Sequence, residues 1–184
     1  MRHPPNLKHA GIEYDLSHLQ QSQVTVTLAS HNKNPEIELL LDVRFSNHCY
    51  SEGDPKTAGH PHDLLDHNNK PRWFCPDRHR MSLQLPDIIQ ALHTKKCLFT
   101  GKNNWLVVES QNALGTTVNY HVYFNLKKHR EIENSLIMYV ESAYEKTKGN
   151  NAPKRGRGHD RIGFPMLARK TLADKSIKRP PRGR

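Results

Sequence analysis

Three stretches of the chain alternate between apolar and polar residues, and this pattern constrains the fold more than any other feature of the sequence. The first stretch runs from residue 24 to 45 and is interrupted at residues 31–35; the others cover 117–126 and 136–144. A period of two is typical of β-strands that bury one face. The first stretch therefore predicts a β-hairpin, and the other two predict antiparallel neighbours in a sheet.

The region between these strands predicts one short helix. Pro86 suits the first turn of a helix and Asp87 suits its positive end, so we place the helix at residues 86–96. The other apolar runs predict further strands, at residues 97–100, 104–110 and 161–172. The last of these is expected at a sheet edge, which tolerates Pro165.

The predicted fold class is α+β, with an N-terminal β-hairpin, one short helix packed on an antiparallel sheet, and a basic C-terminal tail. Residues rich in Gly, Pro, Asn and Asp predict a long His-rich loop at 46–72, and residues 145–160 predict a basic loop. The expected organisation is a polar N-terminal arm (1–22), a single domain (23–172) and the tail (173–184).

The whole net charge of +10 lies in the last 40 residues. Residues 1–144 contain 15 Lys and Arg and 15 Asp and Glu, whereas residues 145–184 contain 13 and three. A basic segment on an electrically balanced body is typical of a protein that binds a polyanion. We therefore expect a nucleic-acid partner, with RNA favoured over DNA. A neutralising protein partner fits the same pattern, and a tail that only increases solubility is the alternative.

Other features narrow the class of protein. No run of 18 apolar residues occurs, so no membrane partner is expected, and the first residues lack the apolar region of a secretory signal. A soluble, cytoplasmic protein is therefore the expectation. The three cysteines form too sparse a set for a disulfide scaffold, and no cofactor motif is present. Nothing in the sequence indicates an oligomeric state.

A zinc site is an alternative that the sequence supports only weakly. Cys75 and His79 have the spacing of two ligands of one zinc ion, and His48 and Cys49 lie in a stretch that could supply the others. No Cys-x2-Cys or His-x3-His pair occurs. We therefore predict no metal ligands and keep a zinc-stabilised interaction protein as an alternative.

A polar sheet face is the candidate catalytic surface. If the second and third alternating stretches pair antiparallel, His121, Tyr123, Tyr139 and Glu141 share one side. Such a set contains an imidazole and a carboxylate, which are the usual groups of general acid–base catalysis. The alternative is that these are ordinary exposed residues of a sheet.

Metal-independent RNA cleavage is the reaction that this face predicts. His121 or Glu141 would take the proton from the ribose 2′-hydroxyl, and His79 or His159 would protonate the leaving oxygen. An arginine would stabilise the negative charge that develops on the phosphoryl group. Because RNA carries its own nucleophile, neither a metal nor a cofactor is required.

Basic side chains supply the candidate phosphate ligands. The stretch from residue 72 to 80 interleaves arginines with Trp73 and Phe74, which can stack on bases or enter the core. The basic loop and the segment that follows it add further cations. The predicted nucleic-acid-binding residues are Arg72, Arg78, Arg80, Lys154, Arg155, Arg157, Arg161, Arg169 and Lys170.

The layout of residues 75–172, a helix followed by an antiparallel sheet with a polar face and basic loops, resembles the small microbial ribonuclease toxins of the barnase, RelE and colicin type. The resemblance is architectural and implies a metal-independent endoribonuclease of toxin type. It assigns no catalytic residue. A non-catalytic module that binds nucleic acid or the ribosome is the alternative function.

Overall fold

The structure is a computed structural model. It describes residues 4–31, 34–53, 61–100, 105–111, 117–145 and 161–177. The described strands are β1 (Asn6–His9), β2 (Ile12–Asp15), β3 (Ser22–Leu28), β4 (Ile37–Phe45), β5 (Ser51–Glu52), β6 (Leu64–Leu65), β7 (Pro71–Phe74), β8 (Lys96–Phe99), β9 (Trp105–Gln111), β10 (Thr117–Lys128), β11 (Ser135–Glu145) and β12 (Arg161–Gly163). The described helices are α1 (Pro76–Ser82), α2 (Leu85–Gln90) and α3 (Phe164–Leu172), with short 3-10 helices at Ser17–Leu19, Asn47–Cys49 and Ala91–Thr94.

Seven of the described strands form one sheet, in the order β12-β8-β9-β10-β11-β4-β3. Neighbouring strands are antiparallel except for β11 and β4, which run parallel with Ser135 opposite Leu40 and Val140 opposite Phe45. The fold class is α+β with a mostly antiparallel sheet, as the sequence predicted.

The predicted hairpin is formed by β3 and β4. Val24 lies opposite Leu41, and a bridge between His31 and Asn34 lies at the turn end. Alternate side chains of β4 are fully buried, including Leu39. The period of two in the sequence therefore corresponds to one core-facing side of these strands.

The core lies between the sheet and the helices α2 and α3. On β10, Phe124 is fully buried and its ring lies 6.5 Å from that of Phe164 on α3. Ile89 of α2 and Leu92 of the following 3-10 helix are also buried. The helices thus cover one face of the sheet, and the residues that alternate with Phe124 on β10 point to the other face.

Residues 6–19 do not form the predicted arm. β1 and β2 pair as a hairpin whose turn residues, Ala10 and Gly11, have φ angles of 51° and 79°. A two-residue turn with positive φ at both positions matches the twist of a hairpin, and glycine adopts it without strain. Leu16 and Leu19, which follow the hairpin, are fully buried. Two buried leucines anchor this region to the core, a contact that the surrounding polar residues concealed.

The predicted loop at 46–72 contains ordered pairing. β7 lies between β5 and β6 in a small antiparallel sheet, with Ser51 opposite Phe74 and Leu64 opposite Arg72. These strands are only two to four residues long, so they are too short to show a period of two in the sequence.

The helical region begins earlier than predicted. α2 and the 3-10 helix that follows it replace the single helix at 86–96, and Pro86 occupies the first turn as expected. α1 precedes them and was missed; it also has a proline, Pro76, in its first turn and an acidic residue, Asp77, beside it. These are the same two start signals that identified the second helix.

The predicted edge strand at 161–172 is wrong beyond its first three residues. β12 pairs with β8, but the chain then forms α3, with Pro165 in the first turn. Phe164, Leu167 and Ala168 are fully buried, and their spacing of three and four residues is that of a helix face. Among the described residues, no helix has the length and apolar character needed to cross a membrane.

Candidate nucleic-acid interface

The face of β10 and β11 that lies opposite α3 is polar. His121 pairs with Tyr144, Tyr123 with Ser142, and Asn125 with Tyr139. Because directly paired residues of antiparallel strands point to the same side, these side chains share one surface. We call it the polar face and define it by His121, Tyr123, Asn125, Tyr139, Glu141 and Tyr144. The structure therefore brings the four predicted residues of the sheet onto one side.

A β-bulge shapes this face. Tyr123 pairs with Ser142 and Phe124 pairs with Val140, which leaves Glu141 as an extra residue in β11. Strict alternation would place Tyr144 on the same side as Val140, but the bulge moves it to the polar face. Glu141 is held there by Asn125, whose Nδ2 donates to Oε1 over 2.8 Å.

Tyrosines form the centre of the polar face. The rings of Tyr123 and Tyr144 are stacked with centroids 5.7 Å apart, and their hydroxyl oxygens are 3.4 Å apart. Nδ1 of His121 lies 3.3 Å from the Tyr123 hydroxyl. Burial and the neighbouring Tyr144 raise the pKa of Tyr123, so it stays a neutral phenol at physiological pH. Only 6% of His121 is exposed, so a ligand on this face meets the tyrosines first.

Two predicted arginines meet at the edge of the polar face. Arg72 of β7 donates from Nη2 to the Ser51 carbonyl over 2.7 Å, and Arg78 of α1 donates from Nη1 to the same oxygen over 2.9 Å. The guanidinium of Arg78 also lies over the ring of Tyr144, 5.2 Å from its centroid, within the range of a cation–π contact. We call Arg72 and Arg78 the arginine pair.

The arginine pair concentrates positive charge, which the carboxylates of Asp66 and Glu52 offset through space without forming an ion pair with Arg72. Burial and the charge of Arg78 lower the pKa of Arg72. In the part of the chain that the structure describes, neither guanidinium forms an ion pair with a carboxylate. Each guanidinium has five N–H donors, and the bonds to backbone oxygens and to Ser51 use only some of them. Two fixed, half-buried cations with spare donors are suited to an oxyanion such as phosphate.

A histidine–aspartate pair beside the arginine pair was missed in the sequence, where His48 was considered only as a zinc ligand. Nε2 of His48 lies 3.2 Å from Oδ2 of Asp66. Asp66 is buried, and its Oδ1 accepts the backbone N–H groups of Asn68 and Lys70. These bonds lower the pKa of Asp66 to about 2, whereas burial and Arg72 lower the pKa of His48. His48 lies in a three-residue 3-10 helix and Asp66 lies just after β6, so no periodicity in the sequence could indicate their contact.

The other predicted residues of α1 lie away from the polar face. The ring of His79 contacts the N-terminal hairpin, where its Nε2 donates to the Asp15 carbonyl over 2.8 Å. Arg80 is exposed and pairs with Asp77 one turn earlier on the same helix. Exposed pairs of this kind contribute little to stability, and neither residue joins the arginine pair.

The predicted cations after residue 145 that the structure describes are dispersed. Arg169 donates to the carbonyls of Leu28, Ala29 and Pro35, so it fastens α3 to the hairpin of β3 and β4. Lys170 neighbours it on the same helix, which covers the opposite face of the sheet from the polar face. Arg161 is exposed on β12, at the outer edge of the sheet. The remaining predictions lie outside the described residues: Lys154, Arg155 and Arg157.

The contact between His18 and Ser82, at the end of α1, stabilises the fold and does not form a catalytic pair. Nε2 of His18 lies 2.8 Å from Oγ of Ser82, but that hydroxyl donates to the His79 carbonyl over 2.7 Å. A hydroxyl has one proton, so His18 must donate to Ser82. The histidine therefore cannot activate the serine as a nucleophile.

The zinc alternative gains no support from the side chains that were proposed for it. Within the described ranges, no three His, Cys, Asp or Glu residues are arranged to hold a metal ion. Burial raises the pKa of the Cys49 thiol to about 12. His48 is bonded to Asp66, and His79 to the Asp15 carbonyl. These three of the four suggested ligands thus have separate surroundings.

Thiol reactivity gives a direct test of these surroundings. Cys49 and Cys97 are fully buried with pKa values raised to about 12, whereas Cys75 is partly exposed. Because the thiolate is the reactive form, we expect one thiol per chain to react with a disulfide reagent at pH 8 in the native state and three in urea. Rapid reaction of a second native thiol would contradict the buried positions, and a Cys75→Ser variant serves as the control.

Comparison with known proteins identifies a family. No curated protein and no solved structure matches the chain, so the architectural resemblance to ribonuclease toxins stays a prediction. A sequence model of the YjaZ family matches residues 6–172. This match covers most of the chain and includes every described strand and helix. The protein belongs to the YjaZ family.

Proposed function

We propose that the protein binds RNA, with the polar face and the arginine pair as the contact surface. The observation that carries this proposal is the convergence of Arg72 and Arg78 on one carbonyl oxygen, where neither guanidinium forms an ion pair with a carboxylate of the described residues. Placing two like charges together is unfavourable unless an anion joins them. The backbone phosphate of a nucleic acid supplies that anion.

The neighbouring side chains support a single-stranded nucleic acid as the ligand. The half-buried ring of Tyr144 lies beneath Arg78 and stacks on the ring of Tyr123. Aromatic faces beside cations are typical of surfaces on which unpaired bases stack. Glu141 and Asn125 supply a carboxylate and an amide on the same face. Such groups can bond to a ribose 2′-hydroxyl, which distinguishes RNA from DNA.

The charge distribution of the whole chain supports the same partner. Residues 145–184 contain 13 Lys and Arg and only three acidic residues. Neutralising phosphates with such residues releases counterions and adds affinity that does not depend on base sequence. In this proposal the arginine pair fixes one phosphate, and the basic segment increases the affinity for the rest of the strand.

Replacing either arginine should weaken RNA binding strongly. For Arg78→Gln or Arg72→Gln we expect about a tenfold or greater rise in the Kd for a single-stranded RNA, because a charge-assisted bond to phosphate contributes about 1.5–3 kcal/mol. We also expect the salt dependence to fall by about one ion per arginine removed. Fluorescence anisotropy at two salt concentrations measures both effects.

Arg80→Gln is the matched control, because it removes the same charge from the same helix at an exposed site. It should leave the Kd within about threefold of the wild-type value, since exposed charges away from the contact act mainly through the long-range field. Thermal unfolding of each variant shows whether it is folded. Equal losses for Arg78→Gln and Arg80→Gln would contradict a localised phosphate site.

Metal-independent cleavage of the bound RNA is the second candidate function. It is favoured by the presence of groups that transfer protons, His121, Tyr139 and Glu141, on the face that the arginine pair borders. Cleavage through the 2′-hydroxyl requires a base, an acid and stabilisation of charge on phosphorus. Incubation of RNA with excess protein and EDTA tests this function, and intact RNA would exclude it.

A further inference from the structure

We infer that His48 is the general base of RNA cleavage and that Asp66 is the positioning residue that orients its ring. The inference rests on the proposed function, because it takes RNA held at the arginine pair as the substrate. It assigns proton removal to a residue outside the polar face, and it differs from the prediction made for His121 and Glu141.

The bonding of Asp66 fixes the tautomer of His48. Oδ1 of Asp66 accepts two backbone N–H groups, from Asn68 and Lys70, so the carboxylate is held in place with Oδ2 toward His48. A carboxylate only accepts hydrogen bonds. Nε2 of His48 must therefore carry the proton and donate it to Oδ2, which leaves the lone pair on Nδ1.

Nδ1 is the atom that is left to act as the base. Among the described residues, the His48 ring contacts Asp66 through Nε2 and lies 6.3 Å from the ring of His67. The side chain is 26% exposed, so a ligand can reach it. An imidazole that donates to a carboxylate through one nitrogen and presents the other to a substrate is the arrangement of a general base.

The substrate phosphate would lie beside this ring. Arg78 donates to the backbone carbonyl of His48 as well as to that of Ser51, and Arg72 donates to both the hydroxyl and the carbonyl of Ser51. The arginine pair is thus built on the same short segment that carries His48. Burial and the positive charge of Arg72 lower the pKa of His48, although Asp66 opposes them, so His48 is neutral and able to accept a proton at physiological pH.

The reaction balances without a metal or a cofactor. Nδ1 of His48 takes the 2′-hydroxyl proton, the 2′ oxygen forms a bond to phosphorus, and the bond from phosphorus to the 5′ oxygen breaks. The leaving 5′ oxygen takes a proton from a water molecule, and His48 returns its proton to the hydroxide that remains. The arginine pair stabilises the additional negative charge on the non-bridging oxygens. The products are a 2′,3′-cyclic phosphate and a 5′-hydroxyl.

Two variants test the role of His48 as the base and the role of Asp66 as the positioning residue. In His48→Gln the amide can still donate to Asp66, but the chain loses the basic nitrogen. In Asp66→Asn the side-chain oxygen can still accept the loop amides, while its NH₂ group faces Nε2 and forces the proton of His48 onto Nδ1. Both variants should bind the RNA with a Kd within twofold of the wild-type value and should cleave it about 100-fold or more slowly.

The matched control is His67→Gln, which changes the exposed histidine directly after Asp66. This variant should leave the cleavage rate unchanged. The assay uses an end-labelled single-stranded RNA with EDTA, and the DNA of the same sequence should stay intact. The wild-type rate should rise with pH through a midpoint below 6.5, the ordinary pKa of histidine, because burial and Arg72 lower the pKa of His48. In Asp66→Asn the cleavage rate should no longer rise with pH through this midpoint.

The possible results distinguish the inference from the proposal on which it depends. Binding without cleavage by the wild type would overturn the inference and leave RNA binding intact. Cleavage that survives in His48→Gln but is lost in His121→Gln would assign the base to His121 instead. Absence of RNA binding would overturn both.

Discussion

Replacing Leu167 with alanine should destabilise the protein by about 2–5 kcal/mol, the usual loss when a buried leucine is truncated. Leu167 lies on α3 and is fully buried, together with Phe164 and Ala168. The loss has two sources: the transfer free energy of the removed methyl groups and the cavity that the rigid sheet leaves unfilled. Urea unfolding at constant pH, followed by circular dichroism, measures the free energy of unfolding.

Met166→Ala is the matched control and also tests the correction of the predicted strand. In a helix Met166 is only partly buried, so its truncation should cost less than half as much as that of Leu167. In a strand Met166 would share the core face with Phe164 and Leu167 would point outward. A larger loss for Met166→Ala would therefore contradict the helix. Leu83→Ala, at a position 54% exposed, should change stability by less than about 0.5 kcal/mol.

Acidification from pH 7 to pH 5 should remove about 1–2 kcal/mol of stability through His18 alone. Burial is the main cause that lowers the pKa of His18 from 6.5 to about 4, and His79 lowers it further, while Asp15 opposes them. The unfolded chain therefore binds a proton that the folded protein does not. The stability that depends on a neutral His18 is fully present above pH 6.5 and is lost as the pH falls toward 4. Because solvent reaches part of the ring, the expected value is below the full effect of the shift.

His18→Gln isolates this contribution, because the amide can still donate to Ser82 as the imidazole does. The loss of stability between pH 7 and pH 5 should be smaller in this variant by the same 1–2 kcal/mol. His93→Gln replaces an exposed histidine and should show the wild-type pH dependence. An unchanged pH dependence in His18→Gln would contradict the burial of a neutral imidazole at this position.

The sequence predicted the long strands well because their information is local. In β4 and β11, alternate residues such as Leu39 and Met138 are buried, and a period of two can be read without knowing the partner strand. The parallel pairing of β4 with β11 could not be read in this way, since it joins segments far apart in the chain. α3 was misread because a short apolar run fits both periods, and the preference of proline for a first helical turn decided between them.

Only the part of the candidate site that depends on local alternation could be predicted from the sequence. The shared side of His121 and Tyr123 follows from alternation, whereas Tyr144 joined them only through a bulge of one residue. The meeting of Arg72 with Arg78 depends on how β7 and α1 both approach Ser51. Such a contact between a four-residue strand and a seven-residue helix has no periodic signature in the sequence.

The parallel pairing of β4 with β11 also determines how the chain can fold during its synthesis. The hairpin of β3 and β4 leaves the ribosome before β11, the strand that completes the other side of β4, which emerges on the order of 5–20 seconds later at ordinary rates of translation. During that interval β4 presents open backbone groups and uncovered apolar side chains, a combination that favours aggregation. Nascent chains of this protein should therefore depend on protection by chaperones until β11 has been made.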